Sequence, residues 1–400
     1  MIDRLAGSFR VGGVEAHALA EQFGTPLFVY DAETVRATYR SVRESFHHAP
    51  TRIHFAAVCN PNLHLLRLLR AEGAGLHANT PGDVYCGLRA GFGSEDIVFS
   101  GSNVGEEDLA YLVKTGVHVN VDSLDDLERA CAAGLRACGL RVHVDAVLPE
   151  SRVGLREDDL DAALALARAR GVRVTALHVY CGTHGQDLTR YRLALARLIE
   201  LARAMPEIDC INLGGGFGYD YHDPASGAFP FVELAAAADA ALDALERALN
   251  RPVTLRAEPG RALVAGAAVL LTRVRSVKPS RGRRYVGTDT TVANFTSSAV
   301  HGAHRRVVAV DDRPAAAAPA DVCGCTTFSR DFIARDAPLP DVRSGDLLAV
   351  LDTGAYGYCM ASHFLNRPRP AEVFVDGGRV ELVTRRETYA DLVAMQTIAR

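Results

Sequence analysis

Two short segments concentrate the residues whose types could do chemistry: Ile211–Gly218 (I-N-L-G-G-G-F-G) and Arg256–Arg261 (R-A-E-P-G-R). Consecutive glycines lose more backbone entropy on folding than other residues, so a chain carries them where it needs positive φ or a close backbone approach. The amides of Gly214, Gly215 and Gly216, free of side chains, can line a concavity that takes an anion. Gly260 and Arg261 add a second turn and a guanidinium, and Glu258 adds a carboxylate. The plainer readings are that the glycines serve close packing and that E-P-G-R only turns a strand into a loop. Six further donors, His77, His178, His184, His301, His304 and Cys59, could ligate a metal, but none has C-x-x-C or H-x-x-x-H spacing. No metal site is expected from them.

Elements must bring these turns together. Short runs of β-formers at 53–58, 75–80, 96–101, 118–123, 141–146, 172–180, 211–216 and 254–258 alternate with helical stretches near 61–72, 81–91, 105–115, 124–137, 157–170, 187–204 and 231–249. Eight βα units in a row predict a (β/α)8 TIM barrel, with an open doubly wound sheet as the rival. In such a barrel a phosphate is held by the loops after the seventh and eighth strands. Those loops are the two segments above. After residue 265 strand-like runs joined by Gly, Pro and Asp turns predict an all-β domain. The expected domains are therefore 31–265, the barrel, and 1–30 with 266–400, the β-domain. The first thirty residues read as irregular structure ending in a short strand.

Composition narrows the class. The chain has 400 residues, 48% of them hydrophobic and 23% charged, as in globular proteins. A net charge of −4 gives no basic footprint for nucleic acid or an anionic membrane. There is no run of 18 apolar residues and no apolar secretion signal, and the nine cysteines are an odd count. A cytoplasmic protein with reduced thiols is expected. Basic charge is almost all arginine: the only lysines are Lys114 and Lys278.

F-A-A-V-C-N-P-N, G-G-G-F-G, E-P-G-R, V-C-G-C, D-T-G-A-Y-G-Y-C-M-A-S and R-P-R-P-A-E-V together extend over most of the chain. In that combination the sequence resembles the fold-type III pyridoxal-phosphate decarboxylases, the diaminopimelate and ornithine decarboxylase family. The resemblance implies an alanine-racemase-like barrel with a C-terminal β-domain, and a homodimer with shared active sites. It implies a phosphate cradle of Gly214, Gly215, Gly216, Gly260 and Arg261, assisted by Thr183 and Tyr356. It implies that Glu258 pairs with the pyridine nitrogen, and that Cys323 is the proton donor lent by the partner subunit. A structural thiol at Cys323 is the competing reading, because Gly324–Thr327 (G-C-T-T) replaces the family's Glu-Ser-Gly-Asp.

Departures cluster at the reactive end. Val58 stands where the family places its Schiff-base lysine, and neither lysine of the chain matches a position near the cofactor. Tyr180 replaces a ring-stacking histidine, though an aromatic face is kept. His77 stands where an Asp is usual, Ser297 and Ser298 where a carboxylate-binding Arg-Pro pair is usual, and His301 and His304 replace aromatics. Two functions follow. One is a decarboxylase-like carbon–carbon lyase for an amino-acid substrate of specialised metabolism, with pyridoxal phosphate or its adduct bound noncovalently and Cys323, Tyr180 or His77 moving protons. The other is a non-catalytic ligand-binding homologue acting as a regulatory or partner subunit. Retention of Glu258 favours the enzyme.

Overall fold

The fold is that of a computed structural model, which describes residues 2–5, 8–205, 207–224, 229–297 and 305–398. The β-formers between residues 51 and 257 pair in parallel, and the last pairs with the first. The strands are β1 (Thr51–Ala56), β2 (Gly75–Ala78), β3 (Ile97–Phe99), β4 (His118–Val121), β5 (Ala137–His143), β6 (Arg173–Val179), β7 (Cys210–Asn212) and β8 (Thr254–Ala257). Each pairs with the next, and β8 returns to β1 through Leu255–Thr51, Arg256–Arg52 and Ala257–Ile53. The sheet is closed, so no edge is left to aggregate. The doubly wound alternative is excluded.

Seven helices follow the first seven strands or their loops: α1 (Leu63–Ala71), α2 (Pro81–Ala90), α3 (Glu106–Thr115), α4 (Leu124–Ala132), α5 (Leu160–Ala169), α6 (Leu188–Ala204) and α7 (Phe231–Leu249). Local sequence fixes their ends. Thr80 and Asp83 cap α2 reciprocally, Pro81 opens it, and Gly91 at φ 96° closes it. Each helix lays its apolar stripe on the barrel; on α6 that stripe is Tyr191, Ala194, Leu195, Leu198, Ile199 and Ala202.

Inside the barrel, large polar side chains are accommodated by glycines on neighbouring strands. The His54 ring fills the space a Cβ on Gly75 would take, 2.5 Å away, and Asn120 Oδ1 lies 2.0 Å from where a Cβ on Gly139 would be. Gly139 also explains a difference from expectation. The fifth strand was expected at 141–146 and runs over Ala137–His143, while α4 stops at Ala132 rather than 137. A glycine inside a strand leaves no side chain in the alternation, so the strand's first half is not visible as a period of two.

By contacts the chain divides into two units, Thr38–Tyr219 with Ala228–Leu263, and Met1–Ala37 with Asp220–Gly227 and Val264–Arg400. The second is β-rich, as the runs after residue 265 predicted. Its long strand Ala268–Ser280 pairs antiparallel with Leu27–Asp31, which in turn pairs parallel with Ala371–Asp376. The N-terminal strand is therefore an interior strand of this sheet. Around it Leu27, Val29, Val269, Leu271, Leu347, Val373 and Val375 form a fully buried apolar core. Before it lies a helix, Ala16–Phe23, where irregular structure was expected. Its buried positions Ala16, Leu19 and Ala20 have the i, i+3, i+4 spacing of a helix. No helix among the described residues is long and apolar enough to cross a membrane.

Candidate functional site

The two glycine-bearing turns are bonded to one another. The Glu258 amide donates to the Gly214 carbonyl at 2.8 Å, and the Leu213 amide donates to the Arg256 carbonyl at 2.9 Å. The three glycines are sterically required. A Cβ would stand 2.2 Å from the Val179 oxygen at Gly214, 2.6 Å from the Glu258 oxygen at Gly215 and 2.1 Å from the Gly182 oxygen at Gly216. Gly214 and Gly216 also have φ of 65° and 88°. The loops ending β6, β7 and β8 thus interlock through bare backbone.

Phe217, in the middle of G-G-G-F-G, anchors this turn from below. It stacks on Tyr191 with ring centroids 4.7 Å apart and meets Phe229 edge-on at 4.9 Å, and Tyr191 donates to the Gly215 carbonyl at 3.2 Å. On the other flank, Gly260 presses on β1: a Cβ there would lie 3.0 Å from both Ala56 Cβ and Cys59 Sγ. The Ala56 amide donates to the Pro259 carbonyl at 3.1 Å. So E-P-G-R lies between the glycine turn and F-A-A-V-C-N.

Glu258 points inward and is 1% exposed. Its Oε1 accepts from Asn212 Nδ2 at 2.7 Å, and its Oε2 lies 3.2 Å from His178 Nε2 and 3.3 Å from His77 Nε2. Burial pushes this carboxyl up, but the adjacent imidazoles of His77 and His178 and the Asn212 amide outweigh it and hold the group below the usual carboxylate range. Burial in turn holds His77 down to about 4 and depresses His178, so both rings are neutral at pH 7. His178 accepts from Arg141 at Nδ1 and so presents an Nε2–H to Glu258 Oε2. Behind His178, Arg141 Nε approaches its Nδ1 at 3.3 Å, and Arg141 Nη1 meets Asp122 Oδ1 at 3.3 Å. Arg141 Cζ also lies 5.9 Å from the centre of the Tyr180 ring.

Val58 lies in the short 3-10 turn Ala57–Cys59 just past β1 and is 40% exposed, flanked by buried Ala57 and Cys59. The two lysines are elsewhere: Lys114 is exposed in the last turn of α3, and Lys278 is exposed on the strand Ala268–Ser280. Thr183 is exposed in the loop after β6.

The remaining candidates belong to the β-rich unit. Cys323 ends the strand Ala320–Cys323, and burial with Asp321 and Asp331 nearby pushes its thiol up to about 11. It is a protonated thiol at neutral pH. The unfamiliar G-C-T-T segment is organised by Asp331, which accepts from the Thr291 hydroxyl and from the Val292 and Thr326 amides. Its carboxylate lies 2.2 Å from where a Cβ on Gly324 would stand, so no larger residue fits there. Tyr356 has φ 53° in a loop whose Gly354 could not carry a Cβ, which would stand 1.9 Å from the Val264 oxygen. Ser297 is buried and accepts from Arg305 at 2.8 Å. Ser298, His301 and His304 lie outside the described residues.

Among the described residues, one group has metal-ligand proximity, His48 with Asp243 and Glu246. His48 Nε2 meets the Val253 carbonyl at 2.8 Å and Glu246 Oε1 accepts from the Val253 amide at 2.7 Å, so the group secures a backbone turn. Asn212 was not singled out from sequence as a partner of Glu258, nor was the Arg141–Asp122 pair. Strand alternation carried a signal for Asn212, since it pairs in register with Arg256, two residues before Glu258 and on the same side of β8.

Comparison with known proteins agrees with this geometry. The family described as "Pyridoxal-dependent decarboxylase, pyridoxal binding domain" matches residues 32–265. A diaminopimelate decarboxylase of Methanothermobacter thermautotrophicus is 33% identical over 98% of this chain and 96% of its own length. One from Pseudomonas aeruginosa is 34% identical over 96% of each chain. The crystal structure of a diaminopimelate decarboxylase from M. jannaschii in complex with L-lysine superposes with a TM-score of 0.93 at 26% identity, covering 100% of this chain and 98% of that one. That family uses pyridoxal phosphate, and the cradle where a Cβ would collide and the ionised Glu258 fit its phosphate and ring nitrogen. The chain belongs to the pyridoxal-dependent decarboxylases, carbon–carbon lyases of amino acids, with a closed eight-stranded barrel and a β-rich C-terminal region.

Proposed function

We propose that this protein is a decarboxylase-like carbon–carbon lyase that holds pyridoxal phosphate, or an amino-acid adduct of it, without a covalent bond to the chain. The observation that carries this reading is the pairing of a retained, ionised Glu258 with Val58 at the place where the resemblance expects an amine. Bound there, pyridoxal phosphate supplies an electron sink for charge developing on the amino-acid carbon. Glu258 would hold the ring nitrogen protonated. Gly214, Gly215, Gly216, Gly260, Arg261, Thr183 and Tyr356 would hold the phosphate, and Tyr180 would offer a flat face to the ring. Cys323, protonated at neutral pH, suits a proton donor.

Val58 cannot donate an amine, and both lysines are exposed outside the barrel interior. The cofactor would therefore enter either free or as an adduct formed in solution, with no amine of the chain to transfer it from. The domain division 31–265 against 1–30 with 266–400, a cytoplasmic homodimer with shared sites, and an amino-acid substrate complete the proposal. The M. jannaschii complex with L-lysine supports a substrate of amino-acid type. A non-catalytic carrier or regulatory subunit is the second reading, favoured by Val58 itself.

Mass spectrometry of the freshly purified protein, native and then denatured, tests the proposal. A pyridoxal-phosphate mass present in the native spectrum and lost on denaturation is the expected result. Retention through denaturation would overturn noncovalent binding. No such mass even after soaking would overturn the cofactor assignment. With the cofactor bound, carbon dioxide release from a panel of amino acids is expected, and none would favour the carrier.

A further inference from the structure

His77 is a buried group of the barrel without a clear task. It is 6% exposed, and neither ring nitrogen has an aligned hydrogen-bond partner, although Nε2 lies 3.3 Å from Glu258 Oε2. A buried polar ring in that state needs an explanation. Strand order supplies a setting for one. β2 and β6 are four places apart in a closed barrel of eight, so His77 and His178 reach Glu258 from opposite walls, and Glu258 Oε2 lies between them.

We infer that His77 is a positioning residue for Glu258: a neutral imidazole whose Nε2–H turns to the carboxylate and, with His178 and Asn212, fixes which oxygen faces a bound ring. This rests on the reading above that Glu258 serves a pyridine nitrogen. A carboxylate has about four lone-pair sites, and three donors leave one for a ring N–H. A buried carboxylate short of donors would instead take up a proton and lose the charge that ring requires. The groups that face His77 are Glu258 directly after β8, His178 on β6, Arg141 on β5 and His54 on β1. Two of these four are imidazoles that burial keeps neutral, so the one anion adjacent to His77 is Glu258.

The test uses the full ligand-free chain labelled with 15N in histidine, read by long-range proton–nitrogen correlation, with His77 assigned from H77Q. The expected result is a neutral Nε2–H ring at pH 7 whose signals move in the isosteric E258Q. An imidazolium at pH 7, or an Nδ1–H ring indifferent to E258Q, would overturn the inference. A second arm loads pyridoxal phosphate and follows its absorbance against pH. H77L should move the midpoint by about one pH unit, and H77Q, which keeps a neutral donor, should restore it. Equal midpoints in wild type and H77L would also overturn the inference. Failure of the wild-type chain to bind pyridoxal phosphate would instead overturn the cofactor reading, and the ligand-free spectrum would still decide the placement of His77.

Discussion

The Gly215 α-carbon sits so close to Glu258 that a methyl group there would lie 2.6 Å from the Glu258 carbonyl oxygen. One residue of the glycine turn thus sets the position of the residue that carries the carboxylate. Gly215→Ala is expected to lower stability by about 1–3 kcal/mol, the cost of forcing an extra methyl into a packed site, and to weaken cofactor retention. Thermal melting and equilibrium dialysis of the variant check both; an unchanged melt with unchanged retention would mean that the loops yield.

Arg261 opens the short helix Arg261–Val264 directly after E-P-G. If it holds the phosphate, Arg261→Ala should lose retained pyridoxal phosphate through gel filtration while the fold persists by circular dichroism. Retention equal to wild type would remove Arg261 from the cradle.

Val58→Lys restores an amine at the place where the resemblance expects one. Borohydride treatment of the folded variant with pyridoxal phosphate should give a stable adduct on the peptide containing residue 58, found by mass spectrometry. No adduct would mean that the site does not take the cofactor in the family's pose.

Acid should unfold the barrel early. Burial holds His54 down to about 3, and His77 and His118 down to about 4, against an ordinary value of 6.5. The unfolded chain binds protons at these rings below pH 6.5 while the folded chain does not, so stability is lost as pH falls from 6.5 towards 4. The slope is about 1.4 kcal/mol per pH unit for each ring. Urea midpoints measured from pH 7.5 to 5 should fall steadily; a flat profile would show the rings reachable by protons in the folded state.

Asp331 gathers the loop that presents Cys323. Asp331→Ala frees the half-buried Thr326 amide and strands the buried Thr291 hydroxyl and Val292 amide, at about 1–3 kcal/mol for each of these two. Faster reaction of Cys323 with a thiol reagent is the expected readout, and an unchanged rate would separate the loop's order from Asp331.

Much of this was legible in the sequence where one signal acted alone. Helix 231–249 was expected with the bounds it has, because an alanine-rich apolar stripe runs its full length. The eight-unit alternation gave barrel closure and hence the adjacency of the two turns. What escaped depended on three dimensions. The fifth strand slipped because Gly139 owes its identity to Asn120 on the neighbouring strand. His178 was weighed as a metal ligand, whereas it donates across the barrel to Glu258, a relationship that 80 residues of sequence conceal. Gly324 read as a departure, and its cause is the Asp331 side chain seven residues later.

The interior strand Leu27–Asp31 has a temporal consequence. Its neighbours are Ala268–Ser280 and Ala371–Asp376, so during synthesis this early apolar segment leaves the ribosome long before either neighbour exists. All eight barrel strands, complete by residue 257, are translated in between. For that interval Leu27, Phe28 and Val29 have no sheet to join, and a nascent chain halted before residue 268 would expose them to chaperones.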